Sequence, residues 1–147
     1  MSKRLNIKEL LPDSYQILMQ ISKFVADTEI DKKHQELIKI RASQINGCAF
    51  CMNMHSADTL KNYGEDPKRL FVLSVWREAK DWFSKEDQVV LKLTEEITEI
   101  ANHGLSDETY KEAIDLFGEE TTAKMILAVI NINALNRVAI ATSMHPF

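Results

Sequence analysis

Apolar residues recur at steps of three and four along most of this chain, the pattern typical of amphipathic α-helices. Glycines, prolines and capping residues such as Ser and Asp divide the pattern into segments, because these residues begin or end helices. After a polar arm at 1–12, the pattern predicts helices at about 13–27, 31–46, 48–63, 67–80, 84–103, 106–118 and 119–143. No stretch shows a convincing strand pattern. We therefore predict an all-α bundle of six to seven helices, in one domain that covers 1–147.

The helix predicted at 119–143 is apolar around most of its circumference, and such a helix is buried on several sides. Two explanations remain open at this point. Either part of its surface meets another subunit, or it is the central helix of the core. Its polar residues would make contacts at a subunit interface in the first case; they are Asn131, Asn133, Asn136 and Arg137.

Composition narrows the classes of function. A chain of 147 residues with 45% hydrophobic residues can bury a core of its own, and only four Gly and three Pro favour long helices. The formal net charge is -4 and Lys and Arg are scattered, so we expect no nucleic-acid partner. The N-terminus lacks the apolar run of a signal peptide, and no segment has an uninterrupted apolar run as long as a membrane span. We therefore expect a cytoplasmic protein with no membrane partner.

Both cysteines lie in one Cys48-x-x-Cys51 motif, and His55 follows four residues later. On a helix this spacing places all three side chains along one face. In a reducing compartment such a pair is seldom a structural disulfide, which leaves catalytic, redox-sensing and metal-binding roles. The start of a helix stabilises a thiolate and favours Cys48, whereas His55 can accept the proton of Cys51. The other histidines are predicted to be ordinary surface or cap residues: His34, His103 and His145.

A carboxylate partner for His55 follows from helix geometry. Asn46-Gly47 is a turn dipeptide, and if the two flanking helices fold back on each other, Glu36 lies at nearly the same level as His55. Glu36 could then orient His55 and raise its basicity, forming a Glu36, His55, Cys51 relay with Cys48 alongside. The same four side chains could formally bind zinc, although a helical pair matches the turn of Cys-x-x-Cys zinc sites poorly.

These residues resemble the core pattern of the AhpD-like alkylhydroperoxidases in the carboxymuconolactone decarboxylase superfamily. The pattern is Glu36, eleven intervening residues, Cys48-x-x-Cys51, three residues and His55. Further similarity to that family lies at 41–51, 76–78, 83–86 and 132–137, so the resemblance extends over about 13–140.

The resemblance implies an AhpD-like all-α fold assembled as a homo-oligomer, a trimer or hexamer, and reduction of a hydroperoxide by the dithiol. By the same resemblance Cys51 becomes a sulfenic acid, Cys48 resolves it to a disulfide, and Glu36 and His55 carry protons. A thiol reductant then restores the pair, and no metal, haem or flavin cofactor is implied. The rival hypothesis is a redox-sensing or metal-binding interaction module without turnover.

One departure from the family lies inside the motif. The well-studied antioxidant members of that family have a longer, two-unit chain. They also carry a histidine between the two cysteines, where this sequence has Phe50. A relay step is therefore missing or replaced. The decarboxylases that name the superfamily lack the cysteine pair, so decarboxylation is not expected.

Overall fold

The computed structural model describes residues 4–146, and this part of the chain is all-α, without strands. The prediction of an all-α fold is therefore confirmed. The elements are α1 (Ile7–Leu10), α2 (Pro12–Ala26), α3 (Lys32–Asn46), α4 (Ala49–Asn62), α5 (Pro67–Val72), a 3-10 helix (Leu73–Trp82), α6 (Lys85–Thr98) and α7 (Asp107–Ala141).

Helix α7 is the centre of the bundle and contacts α2, α3, α4 and α6. It is broken at Gly118, whose φ of 75° and ψ of 169° are accessible in practice only to glycine. The two segments predicted at 106–118 and 119–143 are therefore the two arms of this run. The explanation of a central core helix is confirmed, whereas Ile130 and Ile140 remain 53% and 44% exposed and contact with another subunit stays a prediction. By length and composition α7 could also span a membrane, a test that buried core helices pass as well.

The main core lies where α3, α6 and α7 meet. Leu37, Ile38, Leu91 and Val129 are among its members and are at most 2% exposed. Burying a side chain of this size stabilises the fold by about 1.5–3 kcal/mol. Packing against α6 and α7 therefore fixes the position of α3, the helix that precedes the cysteines.

Polar contacts then lock the end of α3 against α7. Ser43 Oγ donates a hydrogen bond to Asn136 Oδ1 at 3.1 Å, and Asn46 Nδ2 donates to Asn133 Oδ1 at 2.9 Å. Asn133 and Asn136 thus make hydrogen bonds inside the chain, and their place at a subunit interface stays a prediction. The two bonds hold the segment before Cys48 on the central helix.

The chain departs from the predicted helix at 67–80, since the α-helix ends at Val72 and a 3-10 helix continues to Trp82. Leu73 and Trp76 are both buried, and the segment is kinked at Val75 and Ala79, where the backbone angles are not helical. The indole N–H of Trp76 also donates to Glu95 Oε1 at 2.8 Å. This contact, which no local pattern encodes, holds Trp76 against α6.

Two other boundaries differ from the prediction. The arm at 1–12 contains the short helix α1, capped by Asn6, whose side chain accepts the N–H of Lys8. Helix α6 ends at Thr98 rather than at His103. The carboxylate of Glu96 accepts hydrogen bonds from Ser106 and from Thr109 Oγ1, which ties the following turns back to α6. The backbone therefore leaves the helix early to reach the start of α7.

His34 is not an ordinary surface histidine. Its Nε2 lies 3.1 Å from Asp87 Oδ1, and its side chain is 16% exposed. Arg69 Nη2 and the N–H of Ser84 donate to the other oxygen of Asp87. Burial opposes ionisation of Asp87, but the hydrogen bonds from His34 and Ser84 and the charge of Arg69 lower its pKa below the ordinary value. This cluster joins α3, α5 and α6.

Candidate active site

The turn between α3 and α4 positions the cysteine motif. Gly47 has φ 71° and ψ 30°, the left-handed conformation that ends many helices. The N–H of Gly47 donates to Gln44 O at 3.2 Å, and the N–H of Cys48 donates to Ser43 O at 2.9 Å. These two bonds form a Schellman motif, so the end of α3 directly determines where Cys48 lies.

Cys48 caps the helix that carries Cys51. It lies just outside α4 with φ -85° and ψ 89°, and its sulfur accepts the N–H of Cys51 at 3.4 Å. Two helical neighbours at this spacing have Cβ atoms ~5 to 6 Å apart, too far for a disulfide, so the position of Cys48 just outside the helix favours closure of the pair. Both cysteines are present as free thiols.

The thiols lie deeper than the sequence suggested. Cys48 is 1% and Cys51 3% exposed, and both pack against Ala139 of α7. Burial, together with the hydrogen bond and charge of Cys48, raises the pKa of the Cys51 thiol above its ordinary value. We expected an exposed helix start that stabilises a thiolate and favours Cys48, but both sulfurs are buried. A base is needed to deprotonate the Cys51 thiol.

Glu36 and His55 make the contact predicted from the helix geometry, with His55 Nδ1 3.0 Å from Glu36 Oε2. Lys39 Nζ donates to the second oxygen, Oε1, at 2.7 Å. Burial opposes ionisation of Glu36, but the hydrogen bond from His55 and the charge and hydrogen bond of Lys39 lower its pKa below the ordinary value. Glu36 is thus a carboxylate that accepts the Nδ1 hydrogen, which leaves Nε2 of His55 as the nitrogen able to take up a proton.

Cys51 and His55 line the same cavity, which has a volume of about 160 Å³. Its walls come from α2, α4 and α7, and most of the lining side chains are apolar or aromatic; they include Tyr15, Met19, Phe50, Met54, Leu135 and Met144. Cys48 does not line this cavity. The arrangement therefore gives a small molecule access to Cys51 first and holds Cys48 behind it.

Three contributors to the site were missed by the sequence analysis. Lys39 carries a signal that could have been used, since it lies three residues after Glu36 on one helix face. Tyr15 and Met19 carry no such signal, because only the packing of α2 against α7 brings them near Cys51.

The four residues are a poor fit for a metal ion. Both oxygens of Glu36 already accept hydrogen bonds from His55 and Lys39, and the sulfur of Cys48 accepts the N–H of Cys51. Within residues 4–146, no group of three or more His, Cys, Asp and Glu side chains is arranged to hold an ion.

The fold and the site together define a class: an all-α protein with a Cys-x-x-Cys pair opening one helix and a Glu-His pair beside it. The sequence profile of the carboxymuconolactone decarboxylase family matches residues 12–96, a segment that contains all four site residues. The chain belongs to this family and is an AhpD-like member of it.

Two similar proteins support this assignment. The uncharacterised protein YdfG of Bacillus subtilis (strain 168) is 38% identical over 141 residues, which cover 96% of this chain and 95% of YdfG. A crystal structure of an Agrobacterium tumefaciens protein of unknown function, for which the role of the antioxidant defence protein AhpD has been suggested, has a TM-score of 0.92. That protein is 28% identical, and the match covers 98% of this chain and 97% of the other.

Proposed function

We propose that this protein is a thiol-dependent peroxidase that reduces organic hydroperoxides or hydrogen peroxide through Cys51 and Cys48. The observation that carries the proposal is that Cys51 and His55 line one cavity while His55 is hydrogen-bonded to Glu36. Membership of the family and likeness to a suggested antioxidant protein support the same class of chemistry.

In the first step, His55 Nε2 takes the proton of the Cys51 thiol, and the thiolate attacks the terminal oxygen of the hydroperoxide. The S–O bond forms as the O–O bond breaks, and the departing alkoxide, or hydroxide from hydrogen peroxide, takes the proton from the His55 imidazolium and leaves as an alcohol or water. Glu36 stabilises the imidazolium of His55 during this transfer. Because burial raises the pKa of the Cys51 thiol, the thiol needs a base, and in this proposal the Glu36–His55 pair provides it.

In the second step, the sulfur of Cys48 attacks the sulfenic acid of Cys51, so that the S–S bond forms and water leaves. A thiol reductant then returns two electrons and regenerates both thiols by disulfide exchange. Phe50 lines the cavity but offers no proton acceptor, so in this proposal His55 alone serves Cys51. The reductant, the cytoplasmic location and assembly as a trimer or hexamer stay predictions.

Counting thiols tests the proposal, since the chain has only two cysteines. One equivalent of hydroperoxide should remove both thiols and produce one intramolecular disulfide. Cys48→Ser should instead stop at a trappable sulfenic acid on Cys51, whereas Cys51→Ser should leave the remaining thiol unoxidised. Thiols that do not react with peroxide, and react with a thiol reagent only after a chelator is added, would support the metal-binding alternative instead.

A further inference from the structure

Three cavities lie in a row along α7. The first, about 130 Å³, is lined by Asn131 and Leu135; the cavity of Cys51 follows and shares Leu135; the third, about 280 Å³, reaches Thr142. The third cavity adjoins that of Cys51, because Tyr15, Val138 and Met144 line both. At a rise of ~1.5 Å per residue, Leu135 and Thr142 are separated by roughly 10 Å along the helix.

The third cavity is lined by more cations than the other two: the first has only Lys39, which is paired with Glu36, and the cavity of Cys51 has no Lys or Arg among its described lining. The described lining of the third cavity contains two cations, Arg4 and Lys8, and no carboxylate, although the chain as a whole carries a net charge of -4. Thr142 and Ser143 add polar groups, and Leu5 is among the apolar lining residues. Arg4 Nη1 donates to Ala141 O at 2.8 Å, which fixes the guanidinium at the end of α7 while its other N–H groups stay available.

The cavity of Cys51 is in contrast mostly apolar. Apart from Tyr15, Cys51 and His55, its lining consists of hydrophobic side chains, with Met19, Met54 and Met144 among them. Methionine side chains adapt their shape to flexible apolar ligands. A ligand that occupies both cavities would therefore place an apolar chain near Cys51 and an anionic group near Arg4 and Lys8.

We propose that the preferred substrate is an anionic, amphipathic hydroperoxide, in which an apolar chain joins a carboxylate to the peroxide. The carboxylate binds at Arg4 and Lys8, the chain passes Tyr15 and Met144, and the O–O bond lies at Cys51. This inference rests on the proposed peroxidase function. The hydroperoxide is reduced to an alcohol by the step described above, and the carboxylate is unchanged.

The test compares a hydroperoxy fatty acid with its methyl ester, using the purified full chain and neutral dithiothreitol as the reductant. The acid should have a kcat/KM at least several-fold above that of the ester, and added salt should reduce the difference because it screens exposed charges. Lys8→Gln should raise KM for the acid by about two- to fivefold, the scale of one exposed charge pair, and leave kcat and the ester unaffected. Lys68→Gln removes an exposed lysine that lines none of these cavities and should change neither substrate.

Lys8→Gln is preferred to a change at Arg4 because the Arg4 side chain also bonds the backbone of α7. Equal kcat/KM for acid and ester, or equal effects of Lys8→Gln on both, would overturn the inference while leaving the peroxidase function intact. An effect of Lys8→Gln that appears only when an anionic thiol replaces dithiothreitol would assign the cations to the reductant and overturn it too. Failure of every hydroperoxide to oxidise Cys51 would instead refute the proposed function itself.

Discussion

Replacing Glu36 by Gln removes the negative charge beside His55 and preserves the shape of the side chain. In the wild-type protein the carboxylate accepts hydrogen bonds from His55 Nδ1 at 3.0 Å and from Lys39 Nζ at 2.7 Å. A hydrogen bond to a charged group contributes about 1.5–3 kcal/mol. Since about 1.36 kcal/mol corresponds to a tenfold change in rate, losing the stabilisation of the imidazolium should slow oxidation of Cys51 by about 10- to 150-fold.

The rate is best measured in a single turnover, by quenching the reduced protein at intervals after addition of excess hydroperoxide and counting the thiols that remain. Glu29→Gln is the matched control, because it also removes a carboxylate that is paired with a lysine, Lys124, at 2.9 Å, but on an exposed part of the surface. That variant should react at the wild-type rate. If Glu36→Gln keeps the wild-type rate and melting temperature, Glu36 takes no part in proton transfer and the relay is refuted.

Three other predictions concern the fold and the alternative function. Leu91→Ala, at a position 0% exposed, should lower the free energy of unfolding by about 2–5 kcal/mol in urea titrations; a loss below about 1 kcal/mol would contradict its place in the core. Asp87 has a lowered pKa in the folded state, so its stabilisation is present above the unfolded pKa of ~3.9 and is lost as the pH falls through the lower folded value. Below about pH 4 the stability of Asp87→Asn should therefore fall less steeply than that of the wild type, and parallel unfolding curves would refute this account. Prolonged treatment with a chelator should leave the peroxide-dependent loss of thiols unchanged, as measured by thiol counting, whereas lost or newly gained reactivity would point to a bound metal.

The Glu36–His55 contact could be predicted from the sequence because it depends on local rules. The rise of an α-helix fixes the level of each residue, and Asn46-Gly47 marks the turn between the two helices. The α-helical content and most helix starts follow from the same kind of short-range signal. Where capping residues and apolar spacing agree, the sequence alone is enough to predict a helix.

The features that sequence reasoning missed depend on contacts between distant segments. The kinked 3-10 segment is one, because no local signal marks the kink at Val75, and the neighbouring Trp76 is held by a hydrogen bond to the distant Glu95. Burial of Cys51 is another, since it requires packing against Ala139, which lies near the C-terminus. The cavity likewise depends on how α2 packs on α7.

The segment shared with the family, residues 12–96, contains Glu36, Cys48, Cys51 and His55, whereas the α7 wall of the cavities lies at 128–144. The reacting groups and the surface facing them are therefore contributed by separate parts of the gene. Substitutions at wall positions such as Leu135 or Val138 can change which molecules fit without touching the proton-transfer pair. Under the proposed function, changes in the C-terminal helix alone would therefore alter the choice of substrate while the four site residues stay the same.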